Sequence, residues 1–254
     1  MNPEPSDTII YGIHPVAELV AHRLRQVDRI YFDATRNSGS LFDLVKLCRK
    51  ERLSYQMVPP NRLAELAGPV NHQGVVALCG IKEFTSPESL LSTLETKTSP
   101  ALLFLPASVE DPRNLGSLVR TCVAFGVDAI LLERKNTAPI NATVAKTSAG
   151  MIEHISLVKS KNLEGLVADL KKRGFLVVGA EAGGKDTPQD IDFTGPVILI
   201  SGGEDRGIPP YLSKLCDRRV SIPMTNLSHS LNVSAAAAVL LYECCRQRNF
   251  PFSR

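Results

Sequence analysis

"ALLFLPASVEDPRNLGSLVRTCVAFGVDAILLE", residues 101–133, decides the fold class of this chain. An apolar run (101–106) leads into a stretch with helical spacing (114–126), and a second apolar run follows (128–133). Neither run alternates apolar with polar residues, so a strand made from it is covered on both faces. The alternation continues with "HISLV" (154–158), a helical pattern over 162–173, "FLVVGA" (175–180) and "PVILIS" (196–201). Apolar strands alternating with helices predict an α/β domain: a parallel sheet with helices on both faces.

Upstream, 8–82 carries the same kinds of segment on a smaller scale. "VDRIYFD" (27–33), "SYQMV" (54–58) and "GVVALCG" (74–80) read as strands. "SLFDLVKLCRKE" (40–51) reads as a helix, with Leu41, Leu44, Val45 and Cys48 on one face. Residues 83–100, "EFTSPESLLSTLETKTSP", are rich in Ser, Thr, Glu and Pro, and Ser86 followed by Pro87 is a helix start. The predicted division is therefore 1–82, a linker at 83–100 carrying one short helix, and 101–254.

Composition narrows the class further. With 44% hydrophobic and 22% charged residues in 254, the chain is globular. A net charge of +3 leaves nucleic acid open as a partner without arguing for it. No apolar run approaches the roughly 20 residues that cross a bilayer. The start, "MNPEPSDTII", lacks the basic and apolar regions of a secretory signal, so a cytoplasmic protein with no membrane partner is expected. The six cysteines form no Cys-x-x-Cys pair and no His stands at ligand spacing beside them, so they read as core residues and no metal is expected.

Three stretches carry possible chemistry. In "DPRNLGSLVRTCVAFG" (111–126), Asn114 is placed to cap a helix, and Gly116 and Arg120 share a face where an anion or ribose could approach. On spacing alone an exposed surface Arg fits equally. In "LISGGEDRGIPP" (199–210), Gly202, Gly203 and Gly207 surround Glu204 directly after a strand. Such a loop is a usual place for a nucleotide-like ligand, although a plain tight turn also fits, and neither a Walker nor a dinucleotide fingerprint is present. In "SIPMTNLSHSLNVSAAAAVLLYE" (221–243), a short strand and loop lead to a helix begun by Ser230 and Asn232. Val233, Ala237, Leu240, Leu241 and Cys244 form one apolar stripe; Ala235, Ala238, Val239 and Tyr242 form a second, opposite one. A helix apolar on two sides is expected to be buried on both, the second against another subunit.

Together these stretches resemble the motifs of the SpoU (TrmH-like) ribose 2′-O-methyltransferases. Asn114 and Arg120 match the first motif, "GGEDRG" (202–207) the second, and "IPMTNLSHSLNVS" (222–234) the third. "KTSAGMIEHISLV" (146–158) is similar to the family's intervening stretch, and "YGIHPVAEL" (11–19) and "NHQGVVAL" (71–78) to its ribosomal-protein-like RNA-binding domain. One departure is Asn226, where the family usually has Gly; Asn tolerates positive φ better than other non-glycine residues.

The resemblance implies a C-terminal domain tied in a deep trefoil knot, S-adenosylmethionine as cofactor, and a homodimer through the C-terminal helix. It implies methyl transfer to a ribose 2′-hydroxyl of RNA, most simply a guanosine of 23S rRNA, with tRNA as the alternative target. Arg120 would clamp a phosphate and stabilise developing alkoxide charge, since a guanidinium is no general base. Asn114, Glu204, Ser230 and Asn232 would complete the catalytic group. Gly202, Gly203, Glu204, Gly207, Ile222, Met224 and Leu231 would hold the cofactor. Lys46, Arg49, Lys50 and Arg52 are candidate phosphate contacts. Two competing readings are a non-catalytic RNA-binding assembly factor and a nucleotide hydrolase; the latter lacks a carboxylate cluster, and His229 beside Ser230 does not make a triad.

Overall fold

A computed structural model of the chain describes residues 8–203, 207–225 and 230–250. In chain order come β1 (Thr8–Tyr11), α1 (Ile13–His22), β2 (Val27–Asp33), α2 (Gly39–Lys50), β3 (Tyr55–Val58), α3 (Pro60–Ala67) and β4 (Val75–Cys79). Next are α4 (Pro87–Glu95), β5 (Leu102–Pro106), α5 (Pro112–Ala124), β6 (Ala129–Leu132), α6 (Ala142–Thr147), β7 (Ser156–Lys159) and α7 (Leu163–Lys172). β8 (Leu176–Ala180), β9 (Val197–Ser201), α8 (Pro210–Ser213), β10 (Arg218–Val220) and α9 (Val233–Gln247) complete the chain. Two compact units result, one running to Glu83 and adding Pro139–His154, the other taking Phe84–Ala138 and everything from Ile155.

The first unit is a four-stranded sheet in the order β1-β4-β2-β3. Only β2 and β3 run parallel; β4 lies antiparallel to both β1 and β2. β4 is central and buried along its whole length, which is why its sequence is apolar without alternation. α2 starts where Ser38 accepts a bond from the Leu41 amide, and it buries Leu41, Leu44, Val45 and Cys48 as their spacing predicts.

The second unit is a six-stranded sheet in the order β10-β8-β9-β5-β6-β7, with every pair parallel. The chain leaves β5 toward β6 but leaves β9 toward β10, on the other side. Pro106 and Ser201 are in register at the carboxyl ends of β5 and β9, the side of a parallel sheet at which ligands bind in α/β folds. α4 is part of this unit: Ser86 caps it, Pro87 opens it, and Leu90, 4% exposed, sits in one core with Leu103, Leu131 and Ile198. All six cysteines are free thiols. Burial pushes those of Cys48, Cys79 and Cys216 up to about 11, so they remain protonated and unreactive at neutral pH.

Two expectations are corrected. The cap of α5 is Asp111, not Asn114: its carboxylate accepts from the Arg113 amide at 2.8 Å, and Pro112 supplies the first helical φ. Asn114 thus lies inside the first turn and its side chain is released for another partner. The strand before the last loop is Arg218–Val220, and 221–225 has no regular structure.

Candidate active site

Three chain segments meet at the carboxyl ends of β8, β9 and β10. They enclose a cavity of about 730 Å³ with the start of α9, within the usual range for small-molecule sites. Its lining includes 180–183, 201–203, Gly207, 220–225, Ser230, Leu231, Val233 and Ala236. Backbone bonds stitch the segments together. The Glu181 amide donates to Val220 O at 3.0 Å, and Gly203 and Gly207 exchange bonds of 3.2 and 3.3 Å. The Ser221 hydroxyl donates to Gly184 O at 3.0 Å.

Glycines set how closely these segments approach. A Cβ at Gly202 would lie 2.4 Å from the carbonyl carbon of Gly207, and one at Gly184 would lie 2.5 Å from that of Val220. Both obstacles are backbone and cannot swing aside. Gly207 also holds φ at +62°, where a side chain is strained.

The polar groups of the wall are few. The Ser201 hydroxyl is buried and has no hydrogen-bond partner among the described residues. Glu181 pairs with Arg219 at 3.3 Å and is the one described acid of the lining. Met224 and Leu231 are partly exposed and give apolar edges. Backbone polar groups, one carboxylate and apolar rims make a pocket of mixed polarity, sized for a small organic ligand.

Beside the cavity, α5 packs on α9. Asn232 caps α9 by accepting from the Ser234 amide at 2.9 Å. Its Nδ2 donates to Asn114 Oδ1 at 3.1 Å, so Asn232 both caps and bridges. Further along the seam, Ser117 Oγ and Thr121 Oγ1 lie 2.9 and 3.0 Å from Ser234 Oγ.

The structure thus joins Asn114 to Asn232 and places Gly202, Gly203, Gly207, Ile222, Met224, Ser230 and Leu231 on the cavity. Arg120 is exposed on α5, a turn beyond the buried Gly116, and is not part of the lining. Glu204, Asn226 and His229 lie outside the described residues. Sequence reasoning missed the loop after β8, with Glu181 and Gly183. Its signal was the pair Gly183–Gly184 closely following an apolar strand, the same pattern that marked 202–203.

Comparison with known proteins agrees with this geometry. Residues 101–242 match the SpoU rRNA Methylase family, and residues 9–85 match the RNA 2′-O ribose methyltransferase substrate-binding family. The chain belongs to the SpoU rRNA methylase family. The 23S rRNA (guanosine-2′-O-)-methyltransferase RlmB of Ralstonia nicotianae is 34% identical over 244 residues, covering 95% of this chain and 96% of that one. The SpoU methyltransferase AviRb from Streptomyces viridochromogenes, solved in complex with AdoMet, superposes with a TM-score of 0.79 at 25% identity, covering 96% and 91% of the two chains. The A. aeolicus TrmH/SpoU tRNA modifying enzyme superposes with a TM-score of 0.52 at 29% identity, covering 64% of this chain and 84% of that one. As a SpoU family member, the chain is an S-adenosylmethionine-dependent RNA ribose 2′-O-methyltransferase.

Proposed function

We propose that this SpoU methylase modifies a guanosine of 23S rRNA, recruited by the unit that runs to Glu83. The observation that carries the reading is coverage. The RlmB relative matches through the N-terminal part, whereas the tRNA modifying enzyme covers only 64% of the chain.

Bound S-adenosylmethionine supplies a methyl group activated on a sulfonium. The residues of this chain hold the cofactor and orient the acceptor. The glycine-walled cavity fixes the cofactor through Gly202, Gly203, Gly207, Ile222, Met224 and Leu231, with Glu181 and Ser201 as side-chain partners. Asn114 and Asn232, already bonded to each other, present amide groups beside Ser230 at the cavity mouth and orient the 2′-hydroxyl. Arg120, exposed on the same helix as Asn114, clamps the adjoining phosphate and stabilises the alkoxide as it forms.

RNA is gripped by α2 and its surroundings. Lys46, Arg49, Lys50 and Arg52 are all exposed. Phe42, 58% exposed, stands beside them, with Lys46 4.5 Å over its ring. Cations interleaved with apolar surface suit phosphates and unstacked bases.

The family's trefoil knot and a cytoplasmic location belong to the same proposal; family membership supports the first and an rRNA substrate the second. So does a homodimer: the second stripe of α9 is uncovered, with Val239 42% and Tyr242 52% exposed. Val239→Glu would bury an unpaired carboxylate in that interface. Sedimentation velocity should show a wild-type dimer at micromolar concentration and a monomeric variant. A monomeric wild type overturns the dimer.

The test of the target is methyl transfer from labelled S-adenosylmethionine to total RNA, with the modified nucleotide mapped. Label at one guanosine of 23S rRNA is expected. Preferential labelling of tRNA overturns the assignment.

A further inference from the structure

We propose that Glu18, His22 and His154 form a zinc site within the first unit. Glu18 and His22 lie one turn apart on α1, and His154 ends the short helical turn Met151–His154. His154 Nε2 stands 2.7 Å from Glu18 Oε2, His22 Nε2 stands 3.5 Å from the same oxygen, and the three ligand atoms all lie within 4.8 Å of one another. With bonds of about 2.0–2.1 Å, tetrahedral zinc places its ligands ~3.3 Å apart. Rotation of these half-exposed side chains covers the difference. Two imidazoles and one carboxylate suit zinc and disfavour magnesium or calcium, which take oxygen ligands. Three protein ligands leave the fourth position to water.

The surroundings hold the three groups in place. Arg23, next to His22, forms a forked pair with Glu153, next to His154, through bonds of 2.7 and 2.9 Å. This pair is almost fully buried, with side chains 12% and 2% exposed. Arg23 also donates to Gly80 O at 3.1 Å. Each candidate histidine is thus anchored by its neighbour in a fixed clasp. Gly150 makes the room for Glu18: a Cβ there would fall 2.7 Å from Glu18 Cγ. The site links α1 to a turn about 130 residues further along the chain, and bound zinc staples the two.

The full chain, stripped with chelator, is titrated with zinc by calorimetry. One ion per chain with micromolar or tighter affinity is expected. His22→Gln and His154→Gln should each weaken it at least tenfold while circular dichroism stays unchanged. Zinc at a hundredfold excess over the wild-type Kd should raise the wild-type Tm by about 5 °C and that of His22→Gln by no more than about half as much; magnesium should raise neither. Cobalt substitution should give ligand-field bands without a thiolate charge-transfer band. Absent stoichiometric binding, a thiolate band, or affinity untouched in both histidine variants overturns the site.

Discussion

The cavity wall and the α5–α9 seam lie side by side in this methylase and are built on opposite principles. The wall is made by backbone: 180–184, 201–203 with Gly207, and 220–225 approach so closely that at two positions a single added carbon would overlap a neighbouring carbonyl carbon. The seam is made by side chains: Asn114, Ser117, Thr121, Asn232 and Ser234 join two helices that would pack without them. A wall of that kind should be intolerant of additions, and a seam of this kind should be graded in its response to deletions.

The largest effect is expected at Gly202. Gly202→Ala places its Cβ 2.4 Å from Gly207, so the loop must open and the cavity with it. Calorimetry should show cofactor affinity reduced at least 100-fold. Gly195→Ala, where a Cβ meets nothing within 4 Å, is the matched control and should bind normally. Retention of affinity within tenfold at Gly202 would mean that the wall yields, and the contrast with the seam would collapse.

Arg120 comes next. Arg120→Ala should lower turnover by roughly 10²–10³-fold, the usual loss of one transition-state donor, with cofactor affinity held within a few-fold because the side chain is outside the lining. Arg120→Lys should recover little, since a point charge does not reproduce a planar fork. Single-turnover kinetics with separate cofactor titration decides it. A matching fall in cofactor affinity would move Arg120 from the reaction to the wall.

These expectations start from residues that differ in how plainly the sequence announced them. The strands were legible because they are apolar runs buried on both faces: β2 and β9 fall within one residue of the boundaries expected. The Gly-rich loop after β9 was legible because glycine after a strand is conspicuous. The start of α5 is less plain: Asp111 followed by Pro112 is a helix start, but Asn114, three residues on, is an equally good capping residue by type, and only the structure shows that Asp111 makes the cap. Two features had no local signal. Residues 139–154 pack with the first unit, and no change of composition marks that exchange. His154 reaches Glu18 across 136 positions, a contact set by topology alone.

Asn232 joins the two principles, since it caps a helix and also bonds Asn114. Asn232→Ala loses both and should cost ~1 kcal/mol through the cap, or about 2–4 °C in Tm, together with at least tenfold in turnover. Asn232→Asp keeps the cap but not the Nδ2 donor. It should restore Tm without restoring turnover. Restoration of both by Asp would show that Asn232 acts only by holding α9.

The smallest effect is expected at Ser234, and it isolates the seam from the site. Its hydroxyl lies between those of Ser117 and Thr121 and is largely buried. Ser234→Ala removes one oxygen, but neither neighbour is stranded: Ser117 is exposed to water, and Thr121 still donates to the Ser117 carbonyl at 3.0 Å. With no buried group left unsatisfied, the cost is that of an ordinary hydrogen bond, about 0.5–1.5 kcal/mol. Tm should fall by a few degrees, and cofactor affinity and turnover should stay within twofold. One oxygen lost here should therefore matter far less than one carbon gained at Gly202. Loss of turnover beyond tenfold in Ser234→Ala, with Tm unchanged, would instead make the hydroxyl seam part of the reaction machinery.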